Sequence, residues 1–413
     1  MRVLHVNKFL YRRGGAEAYM LDLAELQAEN GHEVAFFGMR HPQNPTLPFA
    51  DTFPSFVELE PPPERVSGRV AAAARMVYSP SSRRGIEAVA RQFRPDVAHL
   101  HNIYHQLSPS VLRPLRELSV PIVMTLHDYK LICPSYLLLD HGKVCEACLG
   151  GQFRNAVTRR CKDGSLLSSA VLAAETSLHR MTNAYDPVQL FICPSRFLAG
   201  KIAEAGVFPD RLRVVSNFIA AHAVAPKARP GGGVVYVGRL SHEKGVDVLV
   251  EAVGRLDRRH RLDVVGDGPE RARLEALAAT SAPGQVRFHG AVPKARVLEL
   301  VRAAAVAVMP SRCHENQPMA VLEAFACGVP VLATEFGGLP ELVQEDRYGR
   351  TVPGDDPVAM ADALDVLLAD PERAFRIGQA ARRHAEQRFA PERHLRELEQ
   401  LYRGARVQGP RLQ

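Results

Sequence analysis

The feature of this sequence that most constrains its fold is a regular alternation of strand-like and helix-like segments. In the first 200 residues, short apolar runs such as VLHVNKF, EVAFFGM and VAHLHNI are separated by longer stretches, of which 16–29 is the first with helical periodicity. This alternation is typical of a parallel sheet with helices on both faces, which binds ligands at the carboxyl ends of its strands. We therefore predict a doubly wound α/β fold.

The alternation occurs twice. The stretch AAHAVAPKARPGGG is rich in Ala, Pro and Gly, and a second series of apolar runs begins beyond it with VVYVGRL. A chain of 413 residues is also too long for a single core. We predict an N-terminal domain over 1–219, a linker over 220–233 and a C-terminal domain over 234–388. The cleft between two such domains is the natural ligand site.

The end of the sequence has a different pattern. An amphipathic segment over 391–403 predicts a helix that crosses back onto the first domain. Residues 405–413 are expected to be disordered. We assign 389–413 to this helix and its tail.

Composition places the chain among ordinary globular proteins, with 46% hydrophobic and 23% charged residues. Its first residues, MRVLHVNKFLYRRGG, lack a small-residue cleavage site and predict a strand, not a signal peptide. No apolar run approaches the ~18 residues that cross a bilayer. We therefore expect a cytoplasmic protein. The formal net charge of +7 favours an anionic partner without distinguishing a phosphorylated ligand from a membrane or a nucleic acid.

A pair of carboxylates flanks a predicted helix start in the C-terminal domain. Glu315 and Glu323 stand on either side of Pro318, and proline favours the first turn of a helix. Glu315 therefore lies in the preceding loop and Glu323 in the second turn. The helix N-terminus can bind phosphate, and each carboxylate can accept hydrogen bonds from neighbouring hydroxyls. This arrangement suits a sugar nucleotide, although a helix with one solvated carboxylate gives the same pattern.

Two cations follow the first strand of the C-terminal domain. Arg239 and Lys244 lie in GRLSHEKGVD, five residues apart, where they can approach a diphosphate from two sides. Each alone is compatible with a solvated surface residue, but their position at a strand end favours phosphate binding. The turn GDGP at 266–269 can pass close to a flat base.

Polar residues and glycines also end three predicted strands of the N-terminal domain. These pairs are Gly14 and Gly15, His101 and Asn102, and His127 and Asp128. Glycines at the first turn either cap it or let the backbone approach a ligand. A histidine at a strand end is either a structural residue or a contact for a sugar hydroxyl or a developing charge.

Four of the seven cysteines cluster within an insertion predicted over 129–163. They are Cys133, Cys145, Cys148 and Cys161, with the spacing C-x11-C-x2-C-x12-C. In a cytosolic chain such a cluster favours a metal over disulfides, and four thiolates would form a closed, structural zinc site. Free buried cysteines remain the alternative.

A Pro-rich loop and a basic segment interrupt the first alternation between 44 and 94. The segment carries Arg65, Arg69, Arg75, Arg83 and Arg84. A solvated helical face explains these arginines. A patch that lies on an anionic membrane surface explains them too, and would bring the protein to lipid-linked acceptors.

Taken together, these motifs resemble those of family 4 glycosyltransferases. The resemblance covers nearly the whole chain through the first Gly-Gly turn, TLHD, PSRF, SNFI, GRLxxxKG, GDGP, FHG, the E-x7-E pair, GVPVLAT and GGLPELV. The Cys-containing insertion resembles that of a subgroup of this family. The resemblance implies the retaining GT-B architecture, in which an acceptor-binding and a nucleotide-sugar-binding Rossmann-like domain face a cleft. One departure is Pro318, which offers no amide to a phosphate.

The resemblance also implies a role for individual residues. Catalytic roles fall to His127 and Glu315. From their places at or beside strand ends, we also expect His101, Asn102 and Tyr129 to contact the acceptor. The donor site would comprise Gly14, Gly15, Arg239, Lys244, Glu315, Asn316, Met319, Ala320 and Glu323.

The expected reaction transfers a sugar from a nucleotide-sugar donor to a glycan or lipid-linked acceptor in cell-surface polysaccharide biosynthesis. No Asp-x-Asp occurs in the sequence, so we expect the cations, and no catalytic metal, to stabilise the leaving diphosphate. A structural zinc is the one cofactor considered. An epimerase or hydrolase of the same fold is the alternative enzyme. Nucleic-acid binding is not expected, because the arginines are scattered without an aromatic-rich basic strand.

Overall fold

The structure is a computed structural model that describes residues 1–59 and 65–408. The N-terminal domain alternates strands with helices from its first residues onward. Its elements in chain order are β1 Arg2–Val6, α1 Gly15–Glu29, β2 Glu33–Phe37, α2 Val66–Val77, α3 Pro80–Phe93, β3 Val97–Leu100, α4 Leu112–Glu117, β4 Ile122–Thr125, β5 Leu139–Asp140, β6 Lys143–Val144, α5 Arg154–Thr158, α6 Leu166–Met181, β7 Leu190–Cys193, α7 Arg196–Glu204 and β8 Leu212–Val214.

The C-terminal domain repeats this plan and is followed by a long helix. Its elements are β9 Val234–Val237, α8 Val246–Val253, β10 Leu262–Val265, α9 Arg271–Ser281, β11 Val286–Gly290, α10 Lys294–Ala303, β12 Val306–Met309, α11 Met319–Ala326, β13 Val331–Thr334, α12 Leu339–Val343, β14 Gly349–Val352, α13 Pro357–Ala369, α14 Pro371–Arg388 and α15 Pro391–Gln408.

Each domain is built on a six-stranded parallel sheet. The strand order is β2-β1-β3-β4-β7-β8 in the first domain and β11-β10-β9-β12-β13-β14 in the second. The strands β3, β4, β7, β12 and β13 are buried along their whole length, as expected when helices cover both faces of a parallel sheet. The predicted pair of doubly wound α/β domains is confirmed. The short antiparallel hairpin β5-β6 lies in the predicted insertion.

The predicted linker segment packs mainly against the C-terminal domain. Ala221 and Val224 join the apolar cluster around α11 and β13. The backbone amide of Lys227 donates to the carbonyl of Cys327 at 2.8 Å, and its ammonium reaches the carbonyl of Ala304. The predicted boundaries at 219 and 234 remain predictions, but these contacts tie the segment to the second sheet.

The last helix crosses back onto the N-terminal domain. Leu398, Tyr402 and Ala405 are fully buried beside Val3 and Leu23, so α15 covers one face of the first sheet. The prediction of disorder from residue 405 was wrong for 405–408. The helix continues to Gln408 because Ala405 faces the same apolar cluster. The remaining predicted tail, 409–413, lies outside the described residues.

Candidate functional site

The two domains enclose a cleft of about 760 Å³. Both sheets point the carboxyl ends of their central strands at it, which is where parallel α/β sheets bind ligands. All nine residues predicted for the donor site line it, namely Gly14, Gly15, Arg239, Lys244, Glu315, Asn316, Met319, Ala320 and Glu323.

Two helix N-termini meet across this cleft. Helix α1 begins at Gly15 in the first domain, and α11 begins at Met319 in the second. A Cβ atom on Gly15 would lie 3.9 Å from Cγ of Met319, so the two helix starts are separated by little more than one side chain. The first amides of a helix lack intrahelical acceptors and carry partial positive charge. The meeting point therefore favours an anion.

Lys244 and Glu315 form an ion pair at the floor of the cleft. Nζ of Lys244 lies 2.6 Å from Oε1 of Glu315, which also accepts a hydrogen bond of 2.7 Å from the Ser311 hydroxyl. Burial alone would raise the pKa of Glu315, but the Lys244 ammonium and the Ser311 hydroxyl outweigh it and lower that pKa. Glu315 is thus an ionised acceptor held in a fixed position.

The turn after Lys244 requires glycine. Gly245 has φ 64°, and a Cβ there would lie 2.0 Å from the carbonyl oxygen of Pro310. Because this turn packs directly against the strand end that leads to Glu315, the ammonium of Lys244 reaches that carboxylate.

Arg239 reaches the cleft from the preceding loop. Its carbonyl accepts a hydrogen bond of 2.9 Å from the Tyr236 hydroxyl, which fixes the backbone while the side chain is exposed. Within the described residues its guanidinium forms no ion pair. Arg239 is therefore available to an anionic ligand.

Glu323 has a partner that the sequence analysis missed. Its Oε1 is paired with Nζ of Lys294, at the start of α10. The Lys294 side chain is 60% exposed, whereas that of Glu323 is 11% exposed, so the lysine can move away when a ligand reaches the carboxylate. No local pattern signals this pair, because its members stand 29 residues apart.

Two further cations missed by the sequence analysis line the cleft, Lys8 and Arg13. Both follow β1 in NKFLYRRGG, directly before α1. The guanidinium of Arg13 lies 4.3 Å from the ring centre of Phe9. Their place after the first strand, beside the predicted Gly14 turn, was the available signal.

The residues predicted for the N-terminal side of the site divide into two groups. His127, Asn102 and Asp128 line the cleft. His101 and Tyr129, predicted to contact the acceptor, do not line it and are buried. Both ring nitrogens of His101 are occupied, by His127 at 3.1 Å and by His5 at 3.2 Å. His101 does follow a strand end, as predicted, but its side chain is buried in the N-terminal domain and cannot contact an acceptor in the cleft.

Burial lowers the pKa of His127 to about 4. The ring is therefore neutral at neutral pH.

Direct hydrogen bonds connect the two sides of the cleft. Nδ2 of Asn316 donates to the carbonyl of His127 at 2.8 Å, and Nδ2 of Asn217 donates to the carbonyl of Gln317 at 3.2 Å. Asn316 and Gln317 belong to the loop between Glu315 and α11. The loop that carries Glu315 is thereby aligned with the strand end that carries His127.

The four clustered cysteines are neighbours in the insertion. Cys148 and Cys161 pack in one small apolar cluster with Phe153 and Ala156. Burial, followed by the nearby thiols, raises the pKa of Cys148 to about 12. Among the described residues, no three of the sulfurs come within 4.8 Å of one another. The donor set suits zinc, but binding would have to draw the sulfurs closer together.

Comparison with family models gives two matches. The model described as "Glycosyl transferases group 1" matches residues 231–370. The model described as "Glycosyltransferase Family 4" matches residues 13–222, just over half of the chain. The chain belongs to glycosyltransferase family 4. The predicted family is thereby confirmed, whereas the subgroup with a Cys-containing insertion stays a prediction.

Related proteins include several D-inositol 3-phosphate glycosyltransferases. That of Xylanimonas cellulosilytica is 40% identical over 36% of this chain and 37% of its own length. That of Catenulispora acidiphila is 28% identical over 90% of this chain and 86% of its own length. The chain thus spans less than half of the first of these relatives and most of the second.

Solved structures show the same GT-B fold at low identity. The sucrose-phosphate synthase of Thermosynechococcus elongatus superposes with a TM-score of 0.73 at 21% identity, covering 98% of both chains. Alr3699/HepE of Anabaena, solved with UDP-glucose, gives 0.67 at 17% identity and covers 98% of this chain and 100% of its own. Within residues 1–59 and 65–408, no helix has the length and apolar character that crossing a membrane requires.

Proposed function

We propose that this protein is a retaining glycosyltransferase. It moves a sugar from a nucleotide-sugar donor to a glycan or lipid-linked acceptor in cell-surface polysaccharide biosynthesis. The observation that carries the proposal is the meeting of the α1 and α11 N-termini next to the Lys244–Glu315 pair. Family membership and the UDP-glucose complex of the Anabaena protein support a nucleotide sugar as the ligand.

The cations and the helix N-termini would together hold the diphosphate of the donor. Arg239, Lys244 and the amides of the two helix N-termini would bind the diphosphate and stabilise the charge that develops as it leaves. This set supplies positive charge without a bridging metal, in line with the absence of Asp-x-Asp from the sequence. Domain closure would exclude water from the reacting centre.

The carboxylates would hold the two sugars of the donor. Glu323, displaced from Lys294, would accept the ribose hydroxyls, and Glu315 would accept hydroxyls of the transferred sugar. Glu315 is held by Lys244 and Ser311, which suits an orienting role better than nucleophilic attack. The departing phosphate oxygen would take the acceptor's proton, so the acceptor attacks on the same face and the anomeric configuration is retained.

The acceptor would approach along the N-terminal domain, where an anionic membrane surface is a proposed partner. Helices α2 and α6 pack against each other and expose apolar side chains, including Val70 at 64% and Met181 at 80%. Arg69 of α2 is exposed. Arg75 points inward and donates to the carbonyls of Gln106 and Ser55, so it does not belong to such a surface.

We also propose a structural zinc held by Cys133, Cys145, Cys148 and Cys161. Their shared neighbourhood in a segment with little regular structure supports it. Four thiolates leave no open position, so this zinc would order the insertion and take no part in the transfer.

A thermal-shift screen over nucleotide sugars tests the function. A true donor at 100 times its Kd stabilises the folded state by about 2.7 kcal/mol, whereas non-ligands leave Tm unchanged. The donor so found is then incubated with candidate glycan and lipid-linked acceptors, and the anomeric configuration of the product is read by NMR. A retained configuration supports the proposal. An inverted product, or only free sugar or an epimer without acceptor, contradicts it.

A further inference from the structure

A row of buried, hydrogen-bonded side chains leads away from His127 into the N-terminal domain. Nε2 of His127 lies 3.1 Å from Nδ1 of His101, and Nε2 of His101 lies 3.2 Å from Nδ1 of His5. Nε2 of His5 lies 2.7 Å from Oε1 of Gln27. Beyond His127, every member of this row is fully buried.

The row continues to the last helix. Nε2 of Gln27 donates to the Tyr402 hydroxyl at 3.1 Å. That hydroxyl lies 2.7 Å from Nδ1 of His99, and Nε2 of His99 lies 2.7 Å from Oγ1 of Thr125. The row ends at the Thr125 hydroxyl.

We call the side chains from Thr125 to His127 the imidazole relay. Its members in order are Thr125, His99, Tyr402, Gln27, His5, His101 and His127.

The imidazoles of the relay are neutral. No carboxylate takes part in these contacts, and burial lowers the pKa of His5 and of His127 to about 4. A neutral imidazole has one nitrogen that donates and one that accepts. His5, His99 and His101 lie close enough together to suggest a metal site, but all six of their ring nitrogens already have hydrogen-bond partners.

The amide of Gln27 fixes the direction of the relay, because its nitrogen can only donate and its oxygen can only accept. The nitrogen Nε2 faces the Tyr402 hydroxyl, and the oxygen Oε1 faces Nε2 of His5.

The same reasoning carries the direction to the cleft. Nδ1 of His99 accepts from the Tyr402 hydroxyl, which accepts from the amide nitrogen of Gln27. The amide oxygen of Gln27 then faces His5 and accepts from its Nε2. Nδ1 of His5 in turn accepts from Nε2 of His101.

Nδ1 of His101 therefore accepts from Nε2 of His127. Within the described residues, Nδ1 of His127 has no hydrogen-bond partner, and the residue lines the cleft. We infer that the imidazole relay holds His127 in the Nε2–H tautomer, so that Nδ1 presents a lone pair to the ligand and accepts a hydrogen bond from a sugar hydroxyl.

The contact between this lone pair and a sugar hydroxyl rests on the proposed function, whereas the tautomer of His127 does not. Tyr402, Gln27, His5 and His101 are positioning residues, since none of them needs to touch a ligand to act. The opposite tautomer of His127 would present an N–H and would repel a hydroxyl that has to donate. The last helix therefore helps to determine which hydrogen bond the cleft can form.

Nitrogen-15 NMR of the full chain labelled at histidine reads the tautomer directly, in protein without any ligand. His127→Gln identifies the His127 signals among the 16 histidines. In the unaltered protein we expect Nε2 of His127 to be protonated and Nδ1 to be unprotonated at neutral pH. A majority of the Nδ1–H form, or a doubly protonated ring, overturns the inference. Failure to find a donor sugar leaves this result unaffected.

Two variants test whether the relay sets the tautomer. Tyr402→Phe removes the hydroxyl that orients Gln27, and Gln27→Met removes the amide itself, so both should give His127 as a mixture of tautomers. Tyr185→Phe is the matched control, because the Tyr185 hydroxyl is buried without a hydrogen-bond partner among the described residues and lies outside the relay. If both relay variants keep the single tautomer of the control, the relay does not determine it and the inference fails.

A donor analogue then tests the lone pair. Replacing the contacted sugar hydroxyl by fluorine removes its proton, and one neutral hydrogen bond corresponds to roughly a two- to tenfold loss of affinity. We expect this loss in the unaltered protein and a smaller one in Tyr402→Phe. Equal losses in both would show that the tautomer does not govern recognition.

Discussion

At the scale of single residues, the proposed chemistry depends on the Lys244–Glu315 pair. The carboxylate is nine-tenths buried and stays ionised because the ammonium and the Ser311 hydroxyl surround it. Removing one partner of such a pair costs more than the pair contributes, since an uncompensated charge remains.

We expect Lys244→Met to lower the free energy of unfolding by about 1–3 kcal/mol and to weaken donor binding at least about tenfold. Adding Glu315→Gln should recover part of the stability, because it removes the unpaired charge, but none of the affinity. Urea unfolding and calorimetric titration measure the two effects. Arg113→Met is the control for stability, since both side chains of the Arg113–Glu117 pair are exposed and such a pair contributes little. Equal losses of stability in Lys244→Met and Arg113→Met would contradict this assignment.

Residues such as Lys244 were predictable because they stand beside a strand end or a glycine turn that is visible in the sequence. Partners from distant segments were not. Lys294 meets Glu323, and Gln27 meets His5, only because the sheets bring separate segments together. His101 was predicted as an acceptor contact because it is polar and ends a strand. The sequence does not show which side of the strand end faces the cleft.

At the scale of elements, two helix N-termini form the proposed anion site. The alternation that predicted both helices is plain in the sequence because buried parallel strands appear as apolar runs. Their meeting across domains depends on how the domains are docked, which no local pattern encodes.

Gly15→Ala should lower donor affinity without a large change in stability. The added methyl group has room, with its nearest neighbour at 3.9 Å, so Tm should change little. The methyl group would lie between the two helix starts, where a phosphate would have to fit, so we expect donor affinity to fall about tenfold or more. Gly200→Ala in α7, whose added methyl group meets nothing within 4 Å, is the control for donor affinity. Unchanged donor affinity in Gly15→Ala would place the phosphate elsewhere.

The insertion is the second element that can be tested. Elemental analysis of the purified protein should find about one zinc per chain, as a closed four-thiolate site requires. Cys145→Ser and Cys148→Ser should each lose the metal and destabilise the insertion. Cys193→Ser changes a buried thiol in β7, outside the cluster, and this variant should retain the zinc. Zinc-free unaltered protein, or zinc that persists in both insertion variants, would refute the metal proposal.

At the scale of the whole molecule, the N-terminal domain carries the proposed membrane-facing side. Vesicles rich in anionic lipid should bind the protein, whereas zwitterionic vesicles should not. Val70→Ser combined with Met181→Ser should reduce binding, because both side chains are exposed on adjoining helices. Val358→Ser, an exposed position in the C-terminal domain, should have no effect. Equal binding to both kinds of vesicle would argue against an electrostatic surface.

The whole account depends on a diphosphate held between the two domains by cations from the C-terminal domain. Calorimetric titration with ADP, GDP and UDP tests this most directly, on the unaltered protein and on Arg239→Met/Lys244→Met. We predict that the preferred nucleotide binds at least about a hundredfold more weakly to the double variant, as expected for the loss of two charge-assisted contacts. A nucleotide that binds both proteins equally well would contradict the account.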